Sequence, residues 1–190
     1  TLKVYRLPLG TPQARGKALV NLLPLDDGEA ISTVMPMPED EDSWGDLHVM
    51  FATSDGKVRR NALSDFANVR TNGKIAMKLD DGSRLIGVKT CAPHDDILLA
   101  TRGGKCIRCH VSKLVTKVAD GVETETEQGV RLFTGRNSVG VRGIKLAKGD
   151  EVNAMSARNH VKVEVVDRDE YLQAVNASRR LAGGDYIDRA

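Results

Sequence analysis

The sequence predicts an all-β fold of propeller-like blades, about four strands to each, with one helical insertion near the C-terminus. Three observations carry that expectation. Valine supplies 20 of the 190 residues while aromatics make up 4%, a balance that leans towards strands. A block of sequence recurs after 48 positions. The apolar runs inside each block are interrupted by Asp55-Gly56 and Gly103-Gly104, dipeptides that tolerate the positive φ of a two-residue hairpin turn.

The repeat sets Met50 to Arg60 over Leu98 to Arg108: apolar residues, Ala-Thr, a turn ending in Gly, then Lys-x-x-Arg. Lys3-Val4-Tyr5-Arg6 fits the second half of the same block, 54 positions earlier than Lys57. A second element follows each copy as Leu25-Asp26-Asp27-Gly28, Leu79-Asp80-Asp81-Gly82 and Leu146-Ala147-Lys148-Gly149. The distances from Lys to Leu are 22, 22 and 41, so about 19 residues are inserted between His110 and Ser138.

Leu47–Ala52 and Ile97–Ala100 read as the entering strands of two hairpins. Ile75–Leu79 and Leu85–Val88 flank Asp81-Gly82 and read as a further hairpin. Two hairpins make a four-stranded unit of roughly 50 residues, the size of a propeller blade. The chain enters another unit at Asp150–Met155 and then meets the helix, capped by Asp167, with Tyr171, Leu172, Val175 and Leu181 at helical spacing and a stop at Gly183-Gly184. The expected organisation is therefore 1–155 as blades, about two complete and flanked by partial ones, and 156–190 as the helical insertion with the start of a further blade.

The net charge is only +2, but it is segregated. Basic runs without acids cover Thr1–Leu25, Ile97–Ala119 and Val130–Gly149. Acids bunch at 39–46, 120–127 and 167–170. No apolar run has membrane length, and three Cys make no disulfide framework, so a soluble, cytoplasmic segment is expected.

The repeated Lys3, Lys57, Lys105, Arg6, Arg60 and Arg108 are candidates for neutralising phosphates, which needs positive charge without base recognition. Residues three apart on a strand face opposite sides, so Lys57 and Arg59 are expected on one face with Val58 buried, and Arg60 is left open. Arg15, Lys17, Arg142 and Lys145 from the flanking basic runs complete the candidate set.

Other chemistries fit poorly. Cys106-Ile107-Arg108-Cys109-His110 has the letters of a haem attachment motif, but it overlays the repeat, where Val58 and Asn61 hold the Cys positions. A zinc site from Cys91, His94, Cys106 and Cys109 has irregular spacing in its second pair, and buried or idle thiols are the expectation. Gly10–Lys17 has one residue too many between its glycines for a phosphate loop. Tyr5 (in a strand), Tyr171 and Tyr186 lack a nucleophile's context, and the four His are scattered. No catalytic residue, metal or cofactor is assigned.

Arg15-Gly16-Lys17-Ala18-Leu19-Val20-Asn21-Leu22-Leu23-Pro24-Leu25, with Val4-Tyr5-Arg6-Leu7-Pro8, Phe51-Ala52-Thr53-Ser54-Asp55-Gly56-Lys57-Val58 and Gly140-Val141-Arg142-Gly143-Ile144-Lys145-Leu146, resembles the C-terminal domain of the A subunit of bacterial DNA gyrase over roughly residues 1–155. The resemblance implies a β-pinwheel whose basic rim wraps duplex DNA, with cleavage chemistry performed elsewhere. It also implies a nucleoid-associated parent, an ATP-dependent type IIA topoisomerase in which this domain works with the gyrase A catalytic region and the gyrase B subunit to introduce negative supercoils. The family's Gln-Arg-Arg-Gly-Gly-Lys-Gly box does not occur here, and the family pattern would place it before Thr1. The related pinwheel of topoisomerase IV is the near alternative, against which Val20–Leu25 favours gyrase. A propeller that binds protein through the acidic stretches 39–46 and 120–127 is the alternative from another class.

Overall fold

A computed structural model describes residues 2–23, 25–26, 28–70, 73–119 and 122–183. Asp27, Asp120, Gly184 and Tyr186 lie outside the described residues. The fold is dominated by β-strands in propeller-like sheets, with one long helix towards the C-terminus. Two units divide the chain, Thr1–Asn159 and His160–Ala190.

Within the first unit, β1 (His48–Thr53) and β2 (Lys57–Ala62) form the first hairpin, and β3 (Leu85–Cys91) pairs with the other side of β1. The second hairpin is β4 (Asp95–Thr101) and β5 (Cys106–His110). The inserted residues form a separate two-stranded ribbon, β6 (Ser112–Ala119) with β7 (Val122–Gly129). The short β8 (Val141–Arg142) returns to pair with β2, and β9 (Val152–Asn159) pairs with β4. The sheets thus run β3-β1-β2-β8 and β5-β4-β9.

The repeat is visible in the hydrogen bonds. Leu63 N–H donates to Leu47 O at 2.9 Å, and Val111 N–H donates to Asp95 O at 2.8 Å, the same two positions one repeat later. Both sheets also carry a register shift at one place, between Ala52 and Thr53 and between Ala100 and Thr101. The Leu-x-x-Gly elements close equivalent turns: Glu29 N–H to Asp26 O, Ser83 N–H to Asp80 O and Asp150 N–H to Ala147 O, at 2.9 to 3.1 Å. Each turn needs a residue at positive φ, supplied by Gly28, Gly82 and Gly149.

Three local expectations change. Residues 75–79 are not a strand, and Leu85–Cys91 pairs with β1 instead of folding back on them, because β1 offers a longer apolar partner. Val4–Arg6, Tyr5 included, is a short 3-10 turn and not a strand, with no neighbouring strand among the described residues to pair with. Residues 150–155 do not open another unit, since Val152–Asn159 pairs with β4 and completes the second sheet.

The core has two parts. Met50, Val58, Ile97, Leu99, Ile144 and Val152 pack between the two sheets. Trp44, Val49, Phe51 and Leu63 cover the other face of the first. The first sheet is therefore buried on both faces, and β2 from Val58 to Asn61 is buried throughout. In the second unit, α1 (Val165–Leu181) has its N-cap at Glu164 and not at Asp167 as expected, Asp167 lying inside the first turn because the helix begins earlier, at Val165. Arg179 and Arg180 stand in its last turn, complementing the helix dipole, and Gly183 at φ 71° follows its end.

Candidate nucleic-acid interface

The repeated basic residues do not share one fate. Arg59 is 0% exposed and Arg60 1%. Arg59 donates from Nε to Asn61 Oδ1 at 2.8 Å and from Nη1 to Ser138 O at 2.6 Å, while its guanidinium lies 4.8 Å from the Phe133 ring centre. Burial, and then the nearby Arg136, pull its pKa below the ordinary arginine value. Arg60 donates from Nη2 to Glu127 Oε1 at 2.5 Å. Hydrogen bonds from Ser112 and then Arg60 hold the Glu127 carboxyl below the usual carboxylate range against the opposing effect of burial. Both arginines are engaged inside the fold, with no exposed surface to offer a phosphate.

Lys57 is half-buried, paired with Asp55 at 3.2 Å and also with Asp80. Burial pushes the Asp55 carboxyl up, but hydrogen bonds from Ser83, Thr53 and Lys57 outweigh it and leave the carboxyl below its ordinary value. Lys3 is exposed and pairs with Glu41 at 3.2 Å. Arg108 is mostly exposed, with Nε 2.9 Å from the buried Asp96. Arg6, Arg15, Lys17, Lys105, Arg142 and Lys145 are exposed.

The third basic run is different in kind. After Val130 the chain crosses the outer edge of β2: Leu132 bridges Arg60, Phe133 N–H donates to Arg60 O at 2.9 Å, and Asn61 Nδ2 donates to Phe133 O at 2.8 Å. Further on, Val141 and Arg142 pair with Val58 and Lys57. Gly140, at φ 87°, makes the close approach possible, because a Cβ there would lie far inside contact distance of the Val58 carbonyl oxygen. The crossing presents Arg131, Arg136, Arg142, Lys145 and Lys148 along one blade, all exposed apart from the half-buried Arg136. Among the described residues none of the five forms an ion pair, unlike Lys3, Lys57, Arg60 and Arg108. Arg131 also lies over the Phe133 ring, 5.2 Å from its centre, the same ring that Arg59 approaches.

Of the expected site residues, the structure brings Lys57, Arg142 and, through the same segment, Lys145 together on the first sheet. Lys105 and Arg108 sit on the second. Lys3, Arg6, Arg15 and Lys17 lie in the N-terminal segment ahead of both sheets. Arg131, Arg136 and Lys148 were absent from the expected set. Their signal was available, as members of an acid-free run, but nothing in the letters said that the run lies across β2. The thiols are separated by sheet: Cys91 on β3 donates to His48 O at 3.8 Å, and burial pushes its pKa up to about 12, whereas Cys106 on β5 is exposed.

Comparison with known proteins gives a consistent result. A family model described as DNA gyrase C-terminal domain, beta-propeller, matches residues 47–92, 95–122 and 129–158, which correspond to the two sheets and their hairpins. The A subunit of DNA gyrase from Granulibacter bethesdensis is 50% identical over 188 residues, 98% of this chain and 18% of that protein. Its Escherichia coli equivalent is 39% identical over 152 residues, 80% of this chain and 15% of that protein. The chain thus spans less than a fifth of the length of these relatives. Among solved structures, the C-terminal domain of DNA topoisomerase IV superposes with a TM-score of 0.59 at 19% identity, over 76% of this chain and 39% of that one. The DNA gyrase A C-terminal domain does so at 0.54 and 22%, over 76% and 41%. At those identities the two structures speak for the fold alone.

Proposed function

The chain belongs to the DNA gyrase C-terminal β-propeller family, and from that premise we propose that its blades bind and bend duplex DNA without sequence preference, by contacting phosphates. The observation that carries this reading is the run from Arg131 to Lys148, five basic side chains with no acidic partner, stretched along the edge of one blade. Such a row neutralises a backbone and releases its counterions, and contacts made to phosphates carry no sequence information. Lys105 and Arg108 extend the contacts to the second blade. Smooth bending of a 20 to 30 base-pair site costs about 1–6 kcal/mol, so contacts on successive blades are needed to hold a curved path.

In the parent protein this path would serve the gyrase A catalytic region and gyrase B in ATP-dependent negative supercoiling, at the nucleoid. The acids that a protein-binding propeller would use are partly occupied: Asp40 accepts from Asp42 N–H, Glu41 pairs with Lys3, and Glu127 with Arg60. The test is the slope of log affinity against log salt for random duplex DNA. Changing Arg131, Arg136, Arg142, Lys145 and Lys148 to Ala should shallow it by up to about 0.9 for each phosphate no longer neutralised, with no change in sequence preference. An unchanged slope removes this run from the footprint.

A further inference from the structure

Between β5 and the crossing over β2 the chain makes the β6–β7 ribbon, for which the first block has no room: 22 residues separate Lys57 from Leu79, against 41 from Lys105 to Leu146. The register of the ribbon sorts its charges by sign. One face carries the pairs Lys113 with Gln128, Val115 with Thr126 and Lys117 with Thr124. The other carries Leu114 with Glu127, Thr116 with Glu125 and Val118 with Glu123. Both bases of β6 thus stand on one face and all three acids of β7 on the opposite one.

The ribbon is firmly rooted. Val111 and Val130, the residues on either side of it, are 0% and 6% exposed and belong to the core between the sheets, and Val130 N–H donates to Val111 O at 3.0 Å. Gly129 closes the base at φ 121°, where a Cβ would come within 2.7 Å of Val111 O and 2.9 Å of His110 O. Glu127 accepts from Ser112 Oγ and from the buried Arg60 Nη2, both at 2.5 Å. The acidic face is therefore the one held to Arg60, and the lysine face is the one turned away from it.

We propose, resting on the reading that the blades bind duplex DNA, that the lysine face of the ribbon is a further DNA contact, an arm laid across a groove of the same duplex. Lys113 and Lys117 lie four residues apart on one strand, about 13 Å, close to the roughly 12 Å width of the major groove. Each ammonium group then meets a phosphate on its own rim, with Val115, Thr124 and Thr126 between them. Continuity agrees. The ribbon leaves β5, which carries Lys105 and Arg108, and returns to Arg131, so a duplex that follows those residues passes its base. The pleat keeps Glu123 and Glu125 on the far face, so the acids of 120–127 interrupt the basic runs in sequence without opposing them on the contact face.

Acetylation of the 190-residue chain, read lysine by lysine by mass spectrometry with and without random duplex DNA, locates the contact. Lys113 and Lys117 should lose most of their reactivity when DNA is added, as should Lys145 and Lys148. Lys113→Ala with Lys117→Ala should shallow the slope of log affinity against log salt by up to about 1.8, and Glu123→Gln with Glu125→Gln, the same change in number of charges on the other face, should leave it unchanged. All four positions are exposed, and circular dichroism checks that each variant folds. Protection of Lys145 and Lys148 without Lys113 and Lys117 removes the arm and leaves DNA binding by the blades, whereas protection of no lysine removes both. Slopes that follow net charge whichever face is altered overturn the arm, as does protection of Lys113 and Lys117 by polyglutamate but not by duplex, which would assign that face to an acidic protein.

Discussion

The hairpins β1–β2 and β4–β5 are copies of one sequence block with the same turn, the same bulge and the same pairing on their inner side, yet β2 is buried and β5 is exposed. The difference lies in what crosses their outer edges. Residues 131–142 lie over β2, and among the described residues no strand covers β5. Under cover, Arg59 and Arg60 become structural groups, tied to Asn61, Ser138 and Glu127. Without it, Arg108 of the same motif keeps a mostly exposed side chain. A repeated basic motif is therefore not a repeated binding site, because the covering strand decides which copies can reach a ligand.

The most severe way to break the contrast is to lift the cover. Gly140→Ala should destabilise the chain by about 3 kcal/mol or more, because its Cβ strikes the Val58 backbone and its φ is positive. Gly104→Ala, at φ 80° but in open space, should cost only about 1 kcal/mol. Thermal unfolding of the two variants should separate them clearly, and equal losses would mean that the cover contributes nothing.

At the next level, Arg59→Ala removes buried hydrogen bonds and the stack on Phe133 and should cost about 2–4 kcal/mol. Ile107→Ala, the same repeat position with 37% exposure, should cost under about 1 kcal/mol in a urea titration. On DNA the order reverses. Lys105→Ala with Arg108→Ala should shallow the salt slope by up to about 1.8, while Arg60→Met leaves it unchanged if the variant folds.

The smallest effect is electrostatic. Because the Glu127 carboxyl is held below its unfolded value, the stability it contributes is present above that value and is lost as pH falls through the folded pKa. Glu127→Gln should remove that part of the acid-limb slope. Its half-exposed side chain keeps the change below about 1 kcal/mol at neutral pH. An acid limb identical to that of the unsubstituted chain would show that Arg60 is held by its burial alone.

Much of this architecture was legible. Ala-Thr, the Gly turn and Lys in the two blocks located both hairpins, and the Leu-x-x-Gly spacing located three turns and the size of the insert, because local turn chemistry leaves fixed letters. The pairing of β2 with Val141 and Arg142 was not legible. A two-residue strand has no periodicity, and its partner is distant in sequence. The burial of Arg59 and Arg60 follows from that same missed contact, since alternation alone puts adjacent residues on opposite faces and says nothing of a segment laid over both. At the candidate interface, the letters supplied the acid-free run, and only the fold showed where it lies.

The late arrival of β8 also has a consequence in time. On a growing chain β1, β2 and β3 are all made well before Arg142, which follows its partner Lys57 by about 85 residues. At synthesis rates of roughly 5–20 residues per second, the edge of β2 waits on the order of 4 to 17 seconds for its neighbour. Through that interval the strand carrying Arg59 and Arg60 is an open template for other nascent chains, and the two charges that burial later makes costly keep it hydrated and discourage edge-to-edge pairing.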